Sequence, residues 1–318
     1  MFFNSFKITG IAVGQIFLLA VLGYLLLKRK FLNADGLDAL SRLTMDVTLP
    51  ILIFCQLMKD FSFMRYPNWW ALPLISLSVT GLGLGVGFLF LKVVKGQQQK
   101  LQFLSLVGFQ NSGYLPLALV ASLLSGDNLS VIFIYIFLFL TGFNLCLFSL
   151  GVYILNYSKE VKFRWQSLFS MPVIATLVSL IVIFIGLNKF IPEMVFKPLR
   201  MLGDTTLPLA MLVVGGNLAQ FNLGQIDKKP MALLILSKMI ILPLLGLGLI
   251  FIFNVPALIS LLLLIQLSMP SAVTLSVILS TYKKEDFLVS QGILLTHIVS
   301  VFTIPLFLII YFSRFMLK

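Results

Sequence analysis

Ten continuous apolar runs, separated by short polar punctuation, dominate the chain; they fall at roughly 8–27, 39–57, 69–91, 101–124, 129–154, 167–187, 199–219, 231–253, 257–280 and 287–312. A helix of about 20 apolar residues crosses the hydrocarbon core of a bilayer. Within that core only helices and closed barrels satisfy their own backbone groups. Barrel strands alternate apolar and polar residues with period two, whereas these runs are unbroken. The expected fold is therefore an all-α polytopic membrane protein with ten transmembrane helices. Composition agrees, since 59% of the 318 residues are apolar and 11% charged, against roughly 25% charged in a soluble domain. That balance excludes a soluble enzyme, a disordered chain and a small disulfide scaffold.

The net charge of +12 would suggest a nucleic-acid partner in a soluble protein. Here the basic residues sit in short loops, where membrane topology explains them and no nucleic-acid partner is expected. Loops after odd-numbered runs carry 13 basic residues and the opposite side carries 8. The first group is Lys28, Arg29, Lys30, Lys92, Lys95, Lys100, Lys159, Lys162, Arg164, Lys228, Lys229, Lys283 and Lys284. The excess places those loops in the cytoplasm and both termini on the non-cytoplasmic side of the plasma (inner) membrane. The first run, Ile8 to Leu27, ends in Lys28-Arg29-Lys30 and is too long for a cleaved signal peptide. Cys55 and Cys146 both lie inside apolar runs, so neither a disulfide nor a metal site is expected. Nothing in the sequence calls for a cofactor.

An internal repeat carries the most functional information. Run two contains Asp46-Val47-Thr48-Leu49-Pro50 and run seven contains Asp204-Thr205-Thr206-Leu207-Pro208, two copies of D-x-T-L-P that are 158 residues apart. Run four is interrupted at Pro116 and run nine at Pro270, 154 residues apart. Glycines 81, 83, 85 and 87 of run three have a shorter counterpart in Gly246 and Gly248 of run eight. Three features at nearly one offset point to a duplicated five-helix unit, residues 1–155 and 156–318. An odd number of helices per copy turns the second copy upside down, and inverted repeats of this kind mark secondary transporters.

In such folds the substrate site lies near the bilayer midplane, at interrupted helices. Run four reads Gly108-Phe109-Gln110-Asn111-Ser112-Gly113-Tyr114-Leu115-Pro116, and run nine reads Gln266-Leu267-Ser268-Met269-Pro270-Ser271. Proline removes a backbone donor and clashes with the preceding turn, so each run is expected to unwind there. If the two breaks cross, two half-helix N-termini meet, and their partial positive charge suits a carboxylate. Gln110, Asn111, Ser112, Gln266, Ser268 and Ser271 would then supply directed hydrogen bonds. The alternative is a pair of plain proline kinks whose amides bridge helices.

Intramembrane charge is costly, about 2.5–3.5 kcal/mol per residue at a helix centre on insertion scales. Lys238 reads either as a countercharge for an anionic substrate or as half of an ion pair with Asp204 or Asp46. The two aspartates read either as carriers of a proton or sodium ion or as caps beside their own threonines. His297 is the single histidine and reads as a proton relay or an interhelical hydrogen bond. The overlapping G-x-x-x-G spacings at 81/85 and 83/87 favour close helix contact, inside the fold or in a homodimer.

On these residues the chain resembles the auxin efflux carrier family, which includes the plant PIN and PIN-like carriers and bacterial organic-acid permeases. The resemblance covers nearly the whole chain. It is carried by Asp46 to Pro50, Asn111-Ser112-Gly113 with Pro116, Asp204 to Pro208, Lys238 with Pro243, and Met269-Pro270-Ser271-Ala272. It implies ten helices in two inverted repeats, with helices four and nine crossing at their breaks. It also implies transport of small organic anions, either auxin-like acids or malate- and malonate-like carboxylates. Asn111 matches the family's substrate-contacting asparagine, and Lys238 a position that is usually Arg or Lys. One departure is the crossover proline, five residues after Asn111 rather than seven, with Ala118 at the usual place. The short loops favour a bacterial permease for malonate- or malate-class acids.

Other readings fit less well. An intramembrane aspartyl protease needs G-x-G-D, but position 201 is methionine, and both aspartates lie in a duplicated motif that a transporter explains better. A channel needs a continuous polar ring or filter, which is missing. A sodium-coupled symporter of the bile-acid type shares the inverted-repeat plan. The expectation is a secondary carrier, not an enzyme, that moves a small carboxylate by alternating access, with H+ or Na+ as possible coupling ion.

Overall fold

The computed structural model describes residues 2–156, 168–221, 227–281 and 287–314. The basic loop residues Lys159, Lys162, Arg164, Lys283, Lys284 and Lys318 lie outside the described residues. Regular structure among those described is helical, apart from one isolated antiparallel bridge between Gln110 and Ser271. Helices α1 (Phe2–Lys28), α2 (Ala34–Asp60) and α3 (Ala71–Leu89) come first. Two shorter segments, α4 (Gln97–Gly108) and α5 (Tyr114–Leu123), share the fourth apolar run. Then follow α6 (Gly126–Leu155), α7 (Met171–Phe184), α8 (Glu193–Gln220) and α9 (Lys228–Phe253). The ninth run is again split, into α10 (Ala257–Ser268) and α11 (Thr274–Thr281), before α12 (Phe287–Arg314) closes the chain. Seven of these helices are long and apolar enough to cross a membrane, and α5, α7 and α10 are shorter apolar helices.

Local chemistry sets the boundaries. Asn33 caps α2, its side-chain oxygen accepting the N–H of Gly36 at 2.8 Å, which satisfies one of the donors a helix start leaves unpaired. Proline lacks the N–H that would bond the carbonyl four residues earlier. In both D-x-T-L-P copies that carbonyl belongs to the aspartate itself. The helix answers by loosening: α2 widens into a π-helical turn over Thr44–Thr48, and α8 is interrupted between Asp204 and Thr206. Pro243 of α9 likewise follows a π-helical stretch, Ile235–Ile241. Such bulges re-aim side chains and recur at functional sites.

Small residues let the helices approach closely. The backbone carbonyl of Ala20 in α1 sits where a β-carbon on Gly215 of α8 would go. The two overlapping spacings of α3 divide by face. A β-carbon on Gly83 would lie 3.0 Å from Val107 O of α4, and Gly87 also packs on α4, so that pair serves packing inside the fold. Gly81 and Gly85 point outward with nothing within 4 Å.

Candidate functional site

Helices α4 and α10 each end short, and the chain leaves both in extended conformation at Phe109 and Met269. The extended pieces run antiparallel and bond to each other. Asn111 donates its N–H to Pro270 O at 2.8 Å, and Ala272 donates its N–H to Phe109 O at 3.0 Å. Side chains reinforce the crossing: Gln266 Nε2 donates to Ser112 O at 3.1 Å, and Ser271 Oγ donates to Leu106 O at 2.7 Å. Thr296 of α12 adds an acceptor for the N–H of Ser271 at 3.2 Å. Backbone groups freed by the interruption are thus re-satisfied by the opposite half of the chain, as a low-dielectric interior demands. Pro116 is the third residue of α5, not the point of rupture; the break covers residues 109–113. A proline in the first helical turn costs little, because those N–H groups have no intrahelical partner. Pro270 lies within the second break.

A cavity of about 760 Å³ opens beside this crossing. Both half-helix starts line it, through Asn111, Ser112, Gly113 and Tyr114 on one side and Ala272, Val273 and Thr274 on the other. Asp46 and Arg42 face it from α2, Asn144 and Phe143 from α6, and Asn217 from α8. Its walls continue to Asp38 near the start of α2, Gln220 at the end of α8, Thr281 at the end of α11 and Ser290 near the start of α12. The cavity therefore runs out on the side where α2 and α12 begin and α8 and α11 end.

The residues singled out from the sequence divide into two groups. Gln110, Asn111, Ser112 and Asp46 line the cavity. Gln266, Ser268 and Ser271 are buried behind it; the bonds of Gln266 to the first break and of Ser271 to α4 brace the crossing, whereas Ser268 Oγ has no partner. Lys238 is not on the cavity wall: it is 1% exposed, and its Nζ donates to Val107 O at 2.8 Å. The alternative reading, an ion pair with Asp204 or Asp46, is not formed either, since no acid pairs with Lys238 among the described residues. The π-helical stretch turns the lysine toward the end of α4 instead. His297 is also buried, with Nδ1 2.8 Å from Ile293 O one turn earlier and Nε2 without a partner. Asp204 lines a separate pocket of about 40 Å³ with Cys55, Lys59 and Arg200. Asp46 and Asp204 thus face different cavities, whereas an aspartyl dyad needs both carboxylates at one site.

Sequence reasoning missed Arg42, Asn144 and Asn217. Arg42 lies within the second apolar run; its position four residues before Asp46, one helical turn away, is the signal the sequence offers. Asn144 and Asn217 gave no such signal, because one asparagine in an apolar helix faces any direction with equal plausibility.

Comparison with known proteins agrees with this architecture. A family model described as Membrane transport protein matches twice in succession, at residues 9–161 and 155–308. The chain is also similar to Protein PIN-LIKES 6 of Arabidopsis thaliana, 29% identical over 124 residues. That alignment takes in 38% of this chain and 28% of the plant protein's length. The two successive matches span almost every residue from the first helix to the last, and the chain belongs to the auxin efflux carrier family of membrane transport proteins.

Proposed function

We propose that this protein is a secondary carrier that moves small organic anions across the plasma (inner) membrane by alternating access. In this reading the twelve helical segments form ten transmembrane helices, with α4–α5 and α10–α11 each making one interrupted helix. Residues 1–155 and 156–318 are then inverted five-helix repeats, in keeping with the duplicated D-x-T-L-P motif. One observation carries the proposal: the starts of α5 and α11, both N-terminal ends of interrupted helices, line a single cavity. Helix N-termini present free N–H groups and the equivalent of about half a positive charge. Two of them facing one cavity suit a carboxylate.

The cavity chemistry narrows the substrate. Its charged lining among the described residues is Asp38, Arg42 and Asp46, one cation beside two acids. A dicarboxylate such as malate or malonate would bring two negative charges against that balance. Tyr114, Phe143, Phe148 and Phe221 add aromatic surface, as expected for a ligand with an apolar body. We therefore favour a monocarboxylate with an apolar or aromatic body over the dicarboxylates that the short loops suggested. Arg42 and Asn111 would hold the carboxylate, and Asn144 and Asn217 would complete the polar contacts. Asp46 would carry a coupling proton. With the basic loops in the cytoplasm, the cavity faces inward.

Tracer uptake into vesicles containing the purified protein tests this. Expected is saturable uptake of aromatic monocarboxylates, lost in Asn111→Ala. Uptake confined to dicarboxylates would overturn the substrate reading, and no uptake of either class would overturn the carrier reading.

A further inference from the structure

Lys238 is buried in α9 with a backbone carbonyl as its hydrogen-bond partner and no acid pairing with it among the described residues. Taking an ammonium out of water without a counterion costs several kcal/mol, so the surroundings must supply negative potential. Val107 is the next-to-last residue of α4, whose C-terminal carbonyls end at the break. A helix C-terminus carries the equivalent of about half a negative charge. Two nearby carbonyls of the unwinding chain are drawn in too, with Leu106 O accepting from Ser271 Oγ and Phe109 O from the N–H of Ala272. At the crossing, Gln110 Nε2, Ser112 Oγ, Gln266 Oε1 and Ser268 Oγ are buried without a partner, so it is rich in polar groups beyond the bonds that hold it. Carriers with discontinuous helices hold a coupling cation at such a place, between half-helix C-terminal ends and unwound carbonyls. Here the ammonium of the chain's own lysine is there. Only the second half supplies it, since α3, the counterpart of α9 in the first half, contains no charged residue.

We infer that Lys238 is a tethered cation: its ammonium fills a monovalent-cation site at the C-terminal end of α4, so the crossing is held together without sodium. This goes beyond the proposed transport function, and it predicts a dormant sodium site that opens when the lysine is removed. Deleting the side chain leaves Val107 O without its donor beside vacated space at the end of α4, where a sodium ion would complete its shell with water.

The test is thermal unfolding of the purified full-length protein in sodium chloride against choline chloride at equal ionic strength. Wild type and Lys238→Arg, which keeps the charge, are expected to unfold at the same temperature in both salts. Lys238→Ala and Lys238→Asn are expected to be destabilised in choline and to regain a few degrees in sodium, saturably. Wild type gaining stability from sodium would overturn the inference, because the cation site would then lie elsewhere. So would failure of both neutral variants to recover in sodium, whether they stay folded without a shift or fail to fold in either salt. No substrate is present, so this result and the uptake result stand or fall separately.

Discussion

The N–H of Asn111 donates to the carbonyl of Pro270 at 2.8 Å, across 159 residues of sequence. This bond and its partner from Ala272 to Phe109 join two helix interruptions into one short antiparallel crossing. Asn111 is thereby fixed through its backbone while its side chain belongs to the cavity wall.

Because the anchoring bond uses the backbone, Asn111→Ala should leave the fold intact and remove only a side-chain contact. A hydrogen bond to a charged group contributes about 1.5–3 kcal/mol, which is roughly a 10- to 150-fold loss of affinity. Ligand titration of the purified variant, with its unfolding temperature measured in parallel, checks both halves of this expectation.

Arg42 is the one cation on the cavity wall among the described residues, so Arg42→Gln should weaken carboxylate binding by about tenfold or more. The fold should be unaffected, because the side chain is exposed to the cavity and carries no buried structural bond. Its effect should vanish for an uncharged amide analogue of the same substrate. An equal loss for acid and amide would remove Arg42 from the carboxylate site.

Asp46 is exposed on the same wall, one helical turn from Arg42. Replacing it by asparagine removes a negative charge that repels an incoming anion. Asp46→Asn should therefore bind the anion at least as tightly as wild type while uptake loses its response to an imposed proton gradient. Uptake measured across a pH series in both proteins decides; an unchanged profile would take Asp46 out of coupling.

Close packing of α1 on α8 depends on Gly215, whose missing β-carbon makes room for the carbonyl of Ala20. Gly215→Ala forces two backbones apart and should cost about 1–3 kcal/mol or more, seen as a lower unfolding temperature and a lower yield of folded protein. Gly85→Ala, where nothing lies within 4 Å, should fall within about 0.5 kcal/mol of wild type.

Periodicity and run length determined the fold class, because the bilayer permits few solutions for a chain of continuous apolar runs. The interruptions were legible too: proline removes a specific donor, and D-x-T-L-P places that loss on the carbonyl of Asp46 and of Asp204. The repeat offset pointed to Asn111 and its neighbours at the first break. What the sequence could not express was direction. Lys238 and Arg42 are both cations inside apolar runs, yet a widened turn sends one to the end of α4 and the other lines the cavity. Gln266 and Ser271 carry the same groups as Asn111 and Ser112, but they brace the crossing from behind. In a helix whose faces are nearly all apolar, no polar stripe records which side meets lipid, neighbour or cavity. Only the packing of α2, α6, α8 and α11 around the crossed breaks decides that, since a cavity wall is assembled from segments far apart in the chain.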